Sequence, residues 1–368
     1  MLRRTFLSLL LAAPAVAELR APKSRLPALF RAYPSLAEHV PWLSLGGLPT
    51  PVVELPELGR ELGFASLAIK RDDLAGVDYG GSKLRKLEFL LGDAESRHAR
   101  EIVASGGVAS NQTLATALFA RRRGLGVRLH LLPERPSPAA RSHILAQARL
   151  GAEQRLVGSE AESNRKATKL AGAYVIPTGG SSTVGNLGFV EAGFELARQI
   201  SEGRASAPSV VYLPLGTGGS AVGLRLGFDA SKVAARVVAV RTASPRYGTK
   251  PQLASAYRGL ARYLEERAPG FPSRSKLDGI DVREGFVGKG YAEPTAGGRR
   301  ARERLARAAK LELDLTYSAK AFAALLADAP RLVGERVLFW LTFDARPVPL
   351  PDGPGAPVPK ALAGYLRG

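Results

Sequence analysis

The chain has 368 residues, 45% of them hydrophobic, with a mean hydropathy of −0.03, so it is long enough to bury the core of a two-lobed α/β protein. It contains no cysteine, which excludes disulfides, thiolate nucleophiles and cysteine-based zinc sites, and its four histidines are too far apart for metal-ligand spacing. The formal charge of +19 comes mainly from arginine, 39 against 13 lysines, spread along helices instead of massed in a tail, a distribution that argues against nucleic acid as a partner.

Residues 1–17, MLRRTFLSLLLAAPAVA, couple Arg3 and Arg4 to an apolar run ending in Ala15-Val16-Ala17, the pattern of a cleavable export signal. The RRTFL start also resembles a twin-arginine signal, which would place the protein in the periplasm. Read instead as a plain leader over residues 1–26, the segment leaves the protein cytoplasmic. No later apolar stretch has the length of a membrane span.

From Val40 onward, short β-branched runs alternate with helix-period segments, which predicts βαβ units and a mostly parallel sheet. Strands are expected at 67–70, 102–105, 127–132, 174–176, 210–213, 237–240 and 337–341. Helices are expected between them at 83–96, 111–123, 139–150, 161–170, 187–200, 220–228, 252–266, 297–310 and 318–326. Residues 268–290 read as a long surface loop, and the proline-rich tail from residue 345 should wrap or dangle and cannot be a strand.

Three segments carry chemistry. In RDDLAGVDYGGSKLRKLE (71–88) a Gly-Gly turn, Ser82 as helix cap and Lys83 at the first helical position follow a strand. The helix start and neighbouring Arg85 and Lys86 would lower the Lys83 pKa and favour the free amine that imine formation needs. The plain alternative is a solvated surface lysine. In SGGVASNQT (105–113) a strand and glycine turn lead into a helix opened by Ser110. Its backbone N–H groups suit a carboxylate, and Asn111 can donate to a phenolate; the alternative is an ordinary capped turn. In LPLGTGGSA (213–221) a glycine turn between strand and helix cradles phosphate on backbone N–H groups. Gly216, Gly218 and Ala221 also fit a weak dinucleotide fingerprint. The next strand ends in Arg241 where an acid would be expected, which leaves an NADP oxidoreductase open.

Taken in order, these segments resemble the fold-type-II pyridoxal-phosphate enzymes of the tryptophan synthase β family, within it the D-cysteine desulfhydrase and 1-aminocyclopropane-1-carboxylate deaminase branch. The resemblance covers roughly residues 40–342. It rests on LPTP (48–51), GGSKLRKLEFLL (80–91), GGVASNQT (106–113), IPTGGSSTVGNLGFVEAGFEL (176–196), the glycine loop at 216–221, GFVGKGYAEPT (285–295) and LDLTYSAKA (313–321). It implies a two-domain α/β fold: a large cofactor-binding domain from 27–79 and 201–344, a small inserted domain at 80–200, and a tail at 345–368.

The resemblance further implies pyridoxal 5′-phosphate held by Lys83 as a Schiff base, with Lys83 also moving the Cα proton. Asn111 would bond the cofactor's 3′ oxygen, and Gly216, Thr217, Gly218, Gly219 and Ser220 its phosphate. Ser110, Asn111 and Gln112 would hold the substrate carboxylate, Tyr317 would stand near the substrate, Ser318 would face the pyridine nitrogen, and Thr342 would border the site. A hydroxyl at 318, where a carboxylate would keep the ring protonated, leans toward β-elimination from a small amino acid such as D-cysteine and away from ring-opening deamination. Where the family continues His-Thr-Gly-Gly after the last strand, this chain reads Leu341-Thr342-Phe343-Asp344 and keeps only the threonine. That departure motivates a further alternative, a catalytically silent cofactor binder. The family also implies a homodimer.

Overall fold

The computed structural model describes residues 26–274 and 276–367; the export-signal reading falls outside them. In chain order the strands are β1 (Val52–Glu54), β2 (Ser66–Arg71), β3 (Glu101–Gly107), β4 (Gly126–Leu132), β5 (Glu153–Leu156), β6 (Ala173–Ile176), β7 (Val210–Leu215), β8 (Arg236–Arg241), β9 (Ile280–Arg283) and β10 (Arg336–Leu341). They form a six-stranded sheet, β1-β2-β10-β7-β8-β9, and a four-stranded one, β5-β4-β3-β6. Among the described residues only β1 pairs antiparallel; every other pairing is parallel. The four-stranded sheet is continuous in the chain and inserted between β2 and β7 of the larger one.

The central strands are apolar on both faces because helices cover both sides. In β7, Val211 and Leu213 join one core with Val237 and Trp340, while Val210 and Tyr212 join a second with Ile69 and Phe339. A third core lies on the four-stranded sheet, around Ile102, Leu129 and Ile176. Each such buried side chain stabilises the fold by roughly 1.5–3 kcal/mol. Among the described residues no helix is long and apolar enough to cross a membrane.

One reading needs correction, and one alternative that the sequence left open is decided. The stretch 268–290 is not all loop: it contains β9, which pairs with β8 as Val237↔Ile280. Its four residues are half-buried or exposed, so an edge strand leaves little apolar pattern to detect. The tail wraps instead of dangling: Ala356 N–H donates to Ala148 O at 2.8 Å, and the 3₁₀ turn Lys360–Leu366 seats Leu362 and Tyr365 in the core of the four-stranded sheet.

Candidate active site

The carboxyl ends of parallel strands are where βα turns open, and here those of both sheets face one cleft of about 250 Å³. The segments after β2, β7, β8 and β10 line one side, and those after β3, β4 and β6 the other.

After β2 the chain turns through Asp72–Gly81 into the helix Ser82–Ser96. Gly81 caps that helix at φ +88°, a conformation L side chains rarely adopt, and its N–H donates to Asp72 O at 2.7 Å. Ser82 N–H donates to Thr342 O at 2.9 Å, which ties the helix start to the end of β10. The cap is thus backbone-made, and the expected assignment shifts by one: Ser82 opens the helix and Lys83 is its second residue. Lys83 lines the cleft, and burial lowers its ammonium to about 8. Arg85 plays no part in that shift. It points the other way, into a fully buried cluster where it donates to Asp72 (2.7 and 2.9 Å) and Glu195 (2.9 and 3.0 Å). Lys86, one helical turn from Lys83, shares its face. It is buried, donates to Gly179 O (3.0 Å) and Ser181 Oγ (2.9 Å), and has no acidic partner among the described residues. Burial, and then the charge of Lys83, holds it well below the ordinary lysine value.

Opposite Lys86 lies the glycine turn after β7. Gly218, at φ +96°, caps the helix Gly219–Ser231 without a side-chain bond, so the first N–H groups of that helix are left for a ligand. A Cβ at Gly219 would stand 2.0 Å from Asn186 Oδ1 and 2.9 Å from Lys86 Nζ, so this backbone is open to the cleft only as glycine. Thr217 Oγ1 and Ser181 Oγ, 2.6 Å apart, and the Ser220 side of the turn complete a cradle with the chemistry of a phosphate site.

Across the cleft Ser110 caps the helix Asn111–Arg122 by accepting from Gln112 N–H at 3.2 Å. The Asn111 amide lines the cleft and makes no hydrogen bond among the described residues. The Gln112 side chain donates to Thr116 Oγ1 at 3.1 Å, and its oxygen is buried without a partner. Tyr317 meets the cleft beside Tyr291, the two hydroxyls hydrogen-bonded and the rings edge to face with centroids 5.6 Å apart. Burial raises both phenols well above the ordinary tyrosine value, which keeps them neutral donors. Ser318 is fully buried and does not reach the cleft wall; its hydroxyl donates to Asp314 Oδ1 at 2.5 Å, and Asp314 is the residue on the wall. Lys86, Glu134, Tyr291 and Asp314 therefore belong to the cleft although the sequence pattern assigns none of them to it, Lys86 being expected only to act on the Lys83 pKa. Lys86, Tyr291 and Asp314 lie within the motifs at 80–91, 285–295 and 313–321, but none of the four carries a cap or glycine signal of its own.

The lysine amine, the phosphate cradle at a separate wall and the unpartnered Asn111 amide together fit a phosphorylated aromatic aldehyde such as pyridoxal phosphate. A dinucleotide fits less well. Arg241, which would meet a 2′-phosphate, is buried against Glu284 (2.7 and 2.8 Å) and the Tyr247 and Gly248 carbonyls.

Asp344 does not intrude on the site. It is buried, accepts the Gly80 N–H at 2.5 Å and pairs with Arg346 at 2.7 Å. Arg346 in turn donates to the carbonyls of Asp73, Gly76 and Val77, at 2.9, 2.8 and 2.5 Å. The pair clasps the turn that delivers Lys83. Asp344→Ala is expected to weaken cofactor affinity several-fold and cost about 1–3 kcal/mol of stability, because it removes a charged acceptor from a buried N–H. Fluorescence titration with the cofactor and urea unfolding measure the two effects.

A family model described as "Pyridoxal-phosphate dependent enzyme" matches residues 43–342. A D-cysteine desulfhydrase of Klebsiella pneumoniae (strain 342) is 32% identical over 299 residues, covering 78% of this chain and 88% of that protein. A protein of Pyrococcus abyssi (strain GE5 / Orsay), named as a 1-aminocyclopropane-1-carboxylate deaminase, is 37% identical over 205 residues, 52% of this chain and 60% of that one. Among solved structures, one titled as an ACC deaminase homologue superposes with a TM-score of 0.73 at 28% identity, covering 88% of this chain and 96% of that one.

Proposed function

Because the chain belongs to the pyridoxal-phosphate-dependent enzyme family, we propose that it removes a β-substituent from a small amino acid, D-cysteine foremost. With water, D-cysteine would give pyruvate, ammonia and hydrogen sulfide. The observation that carries this reading is a single cleft that holds the Lys83 amine together with a phosphate cradle made by the glycine turn after β7 and the buried Lys86.

When bound, the cofactor supplies a conjugated electron sink at the substrate's Cα. Lys83 is proposed to hold it covalently and, once displaced by the substrate amine, to take the Cα proton; its lowered pKa leaves a usable share of free amine at neutral pH. The Gly216–Ser220 turn and Lys86 would hold the phosphate, the Asn111 amide the ring's 3′ oxygen, and the N–H groups at Ser110–Gln112 the substrate carboxylate. Tyr291 and Tyr317, as neutral donors, would line the side-chain end of the substrate. The lobe at 80–200 is proposed to close over the substrate and exclude water, with Arg135–Glu293 (3.3 Å) and Tyr247–Glu160 (2.8 Å) bridging the mouth. A homodimer is proposed on the family resemblance alone.

One observation favours a second reading, ring-opening deamination of 1-aminocyclopropane-1-carboxylate. The sequence argument against it was the absence of a carboxylate at the ring nitrogen, yet Asp314 stands on the cleft wall bonded to Ser318. The test is product analysis of the cofactor-loaded protein with each substrate. Sulfide and pyruvate from D-cysteine are the expected result. 2-Oxobutanoate from the cyclopropane substrate with no sulfide would replace the first reading by the second.

A further inference from the structure

Several acids with buried side chains are matched by cations: Asp72 and Glu195 by Arg85, Asp229 by Arg225, Asp328 by Arg283 and Asp344 by Arg346. Glu134, half-buried on the loop after β4 and on the cleft wall, makes no ion pair among the described residues. It is nevertheless firmly seated. Its Oε2 accepts the Ala109 N–H at 3.1 Å, and its own N–H donates to the Tyr365 hydroxyl of the tail at 3.2 Å. Its carboxyl lies where a Cβ at residue 107 would come within 1.6 Å of Oε1, so glycine there makes the room. Oε1 accepts no hydrogen bond among the described residues. Burial raises the carboxyl to about 7 against the pull of the Ala109 bond, and its charge is felt by both Tyr291 and Tyr317.

A carboxyl fixed by one oxygen, open at the other and without a cation is costly unless the cleft's occupant supplies a donor. On the reading above, on which this inference rests, the substrate's amine goes to the cofactor and its carboxylate to the helix start at Ser110. The side chain is what remains. We propose that Glu134 selects that side chain, accepting amino acids that end in a protic group, a hydroxyl or thiol, and refusing those that end in an anion.

The test uses the cofactor-loaded full chain and calorimetric binding of racemic α-methylserine, 2-aminoisobutyrate and α-methylaspartate, which lack the Cα proton and so bind without elimination. At pH 8.5, where a carboxyl raised to about 7 is ionised, a hydrogen bond to a charged acceptor predicts α-methylserine tighter than 2-aminoisobutyrate by on the order of ten-fold, with α-methylaspartate the weakest. In Glu134→Leu the first two should fall within about two-fold of each other, since the acceptor is gone. In Glu134→Gln, which keeps an acceptor and the shape, the α-methylserine preference should persist and α-methylaspartate should gain. An unchanged ratio in Glu134→Leu, an equal loss for all three ligands, or a wild type without the preference would overturn the proposal. Sulfide release is scored separately: a wild type that eliminates nothing but keeps the preference sinks the elimination and leaves the role of Glu134 standing.

Discussion

Lys83→Ala is expected to abolish turnover, lowering kcat by on the order of 10⁴-fold or more, as removal of a residue that both binds covalently and moves a proton does in other enzymes. It should also erase any visible absorption band that the wild type gains with pyridoxal phosphate and loses on treatment with borohydride. The variant should fold. Lys83 is only half-buried and its helix start is held by backbone bonds from Gly81 and Ser82, so the melting temperature serves as a control. If Lys83→Ala retained a borohydride-sensitive band, the covalent role would move to another amine of the cleft, with Lys86 the first to examine.

Arg85→Met is expected to be the most destabilising single change near the site, by about 3–5 kcal/mol, because it strips a buried charge network of its central cation. Arg85 binds Asp72 from the end of β2 and Glu195 from the helix Thr183–Ser201, while Lys70 reaches Glu195 at 2.5 Å and the Trp340 indole N–H donates to Asp72 at 2.7 Å. Removal leaves two carboxylates facing one lysine in a dry interior. The network also has a pH signature. Burial alone would raise the Glu195 carboxyl, but Arg85 and then Lys70 carry it well below the ordinary value of 4.5. Its folded pKa is depressed, so its contribution is present above about pH 4.5 and is lost as the pH falls below that. Urea unfolding at pH 7 and pH 4 should therefore show a smaller gap between wild type and Arg85→Met in acid. An equal gap at both values would mean that packing, not charge, makes Arg85 matter.

The parts of the fold legible in the sequence were those that bury both faces. β7, β8 and β10 are nearly continuous apolar runs, β3 and β4 are buried runs broken by a few polar residues or glycines, and all five were read within one or two residues of their ends. β1, β5 and β9 escaped because each is three or four residues at a sheet edge with most side chains exposed or half-exposed, so no period survives. In the site, the two glycine turns and the Ser110 cap were legible because backbone ligation is written in glycine and caps. Lys86, Glu134 and Asp314 were not, since each owes its place to a different segment: the helix after β2, the loop after β4 and the link between the helices Ala296–Ala309 and Ser318–Asp328. Ser318 and Asp344 show a further limit. Neither residue's hydrogen-bond partner is legible from its own motif, because each partner's position depends on the path of the chain: Asp314 for the first, Arg346 of the tail for the second.

The seating of Leu362 and Tyr365 against the four-stranded sheet has a consequence for biosynthesis. Strands β3 to β6 leave the ribosome long before those two residues exist, so that part of the core stays uncapped while the rest of the chain is being made. A nascent chain stalled ahead of residue 362 therefore offers an apolar groove to a holding chaperone, and emergence of the tail is the step that closes it and sets the backbone of Glu134 against the Tyr365 hydroxyl.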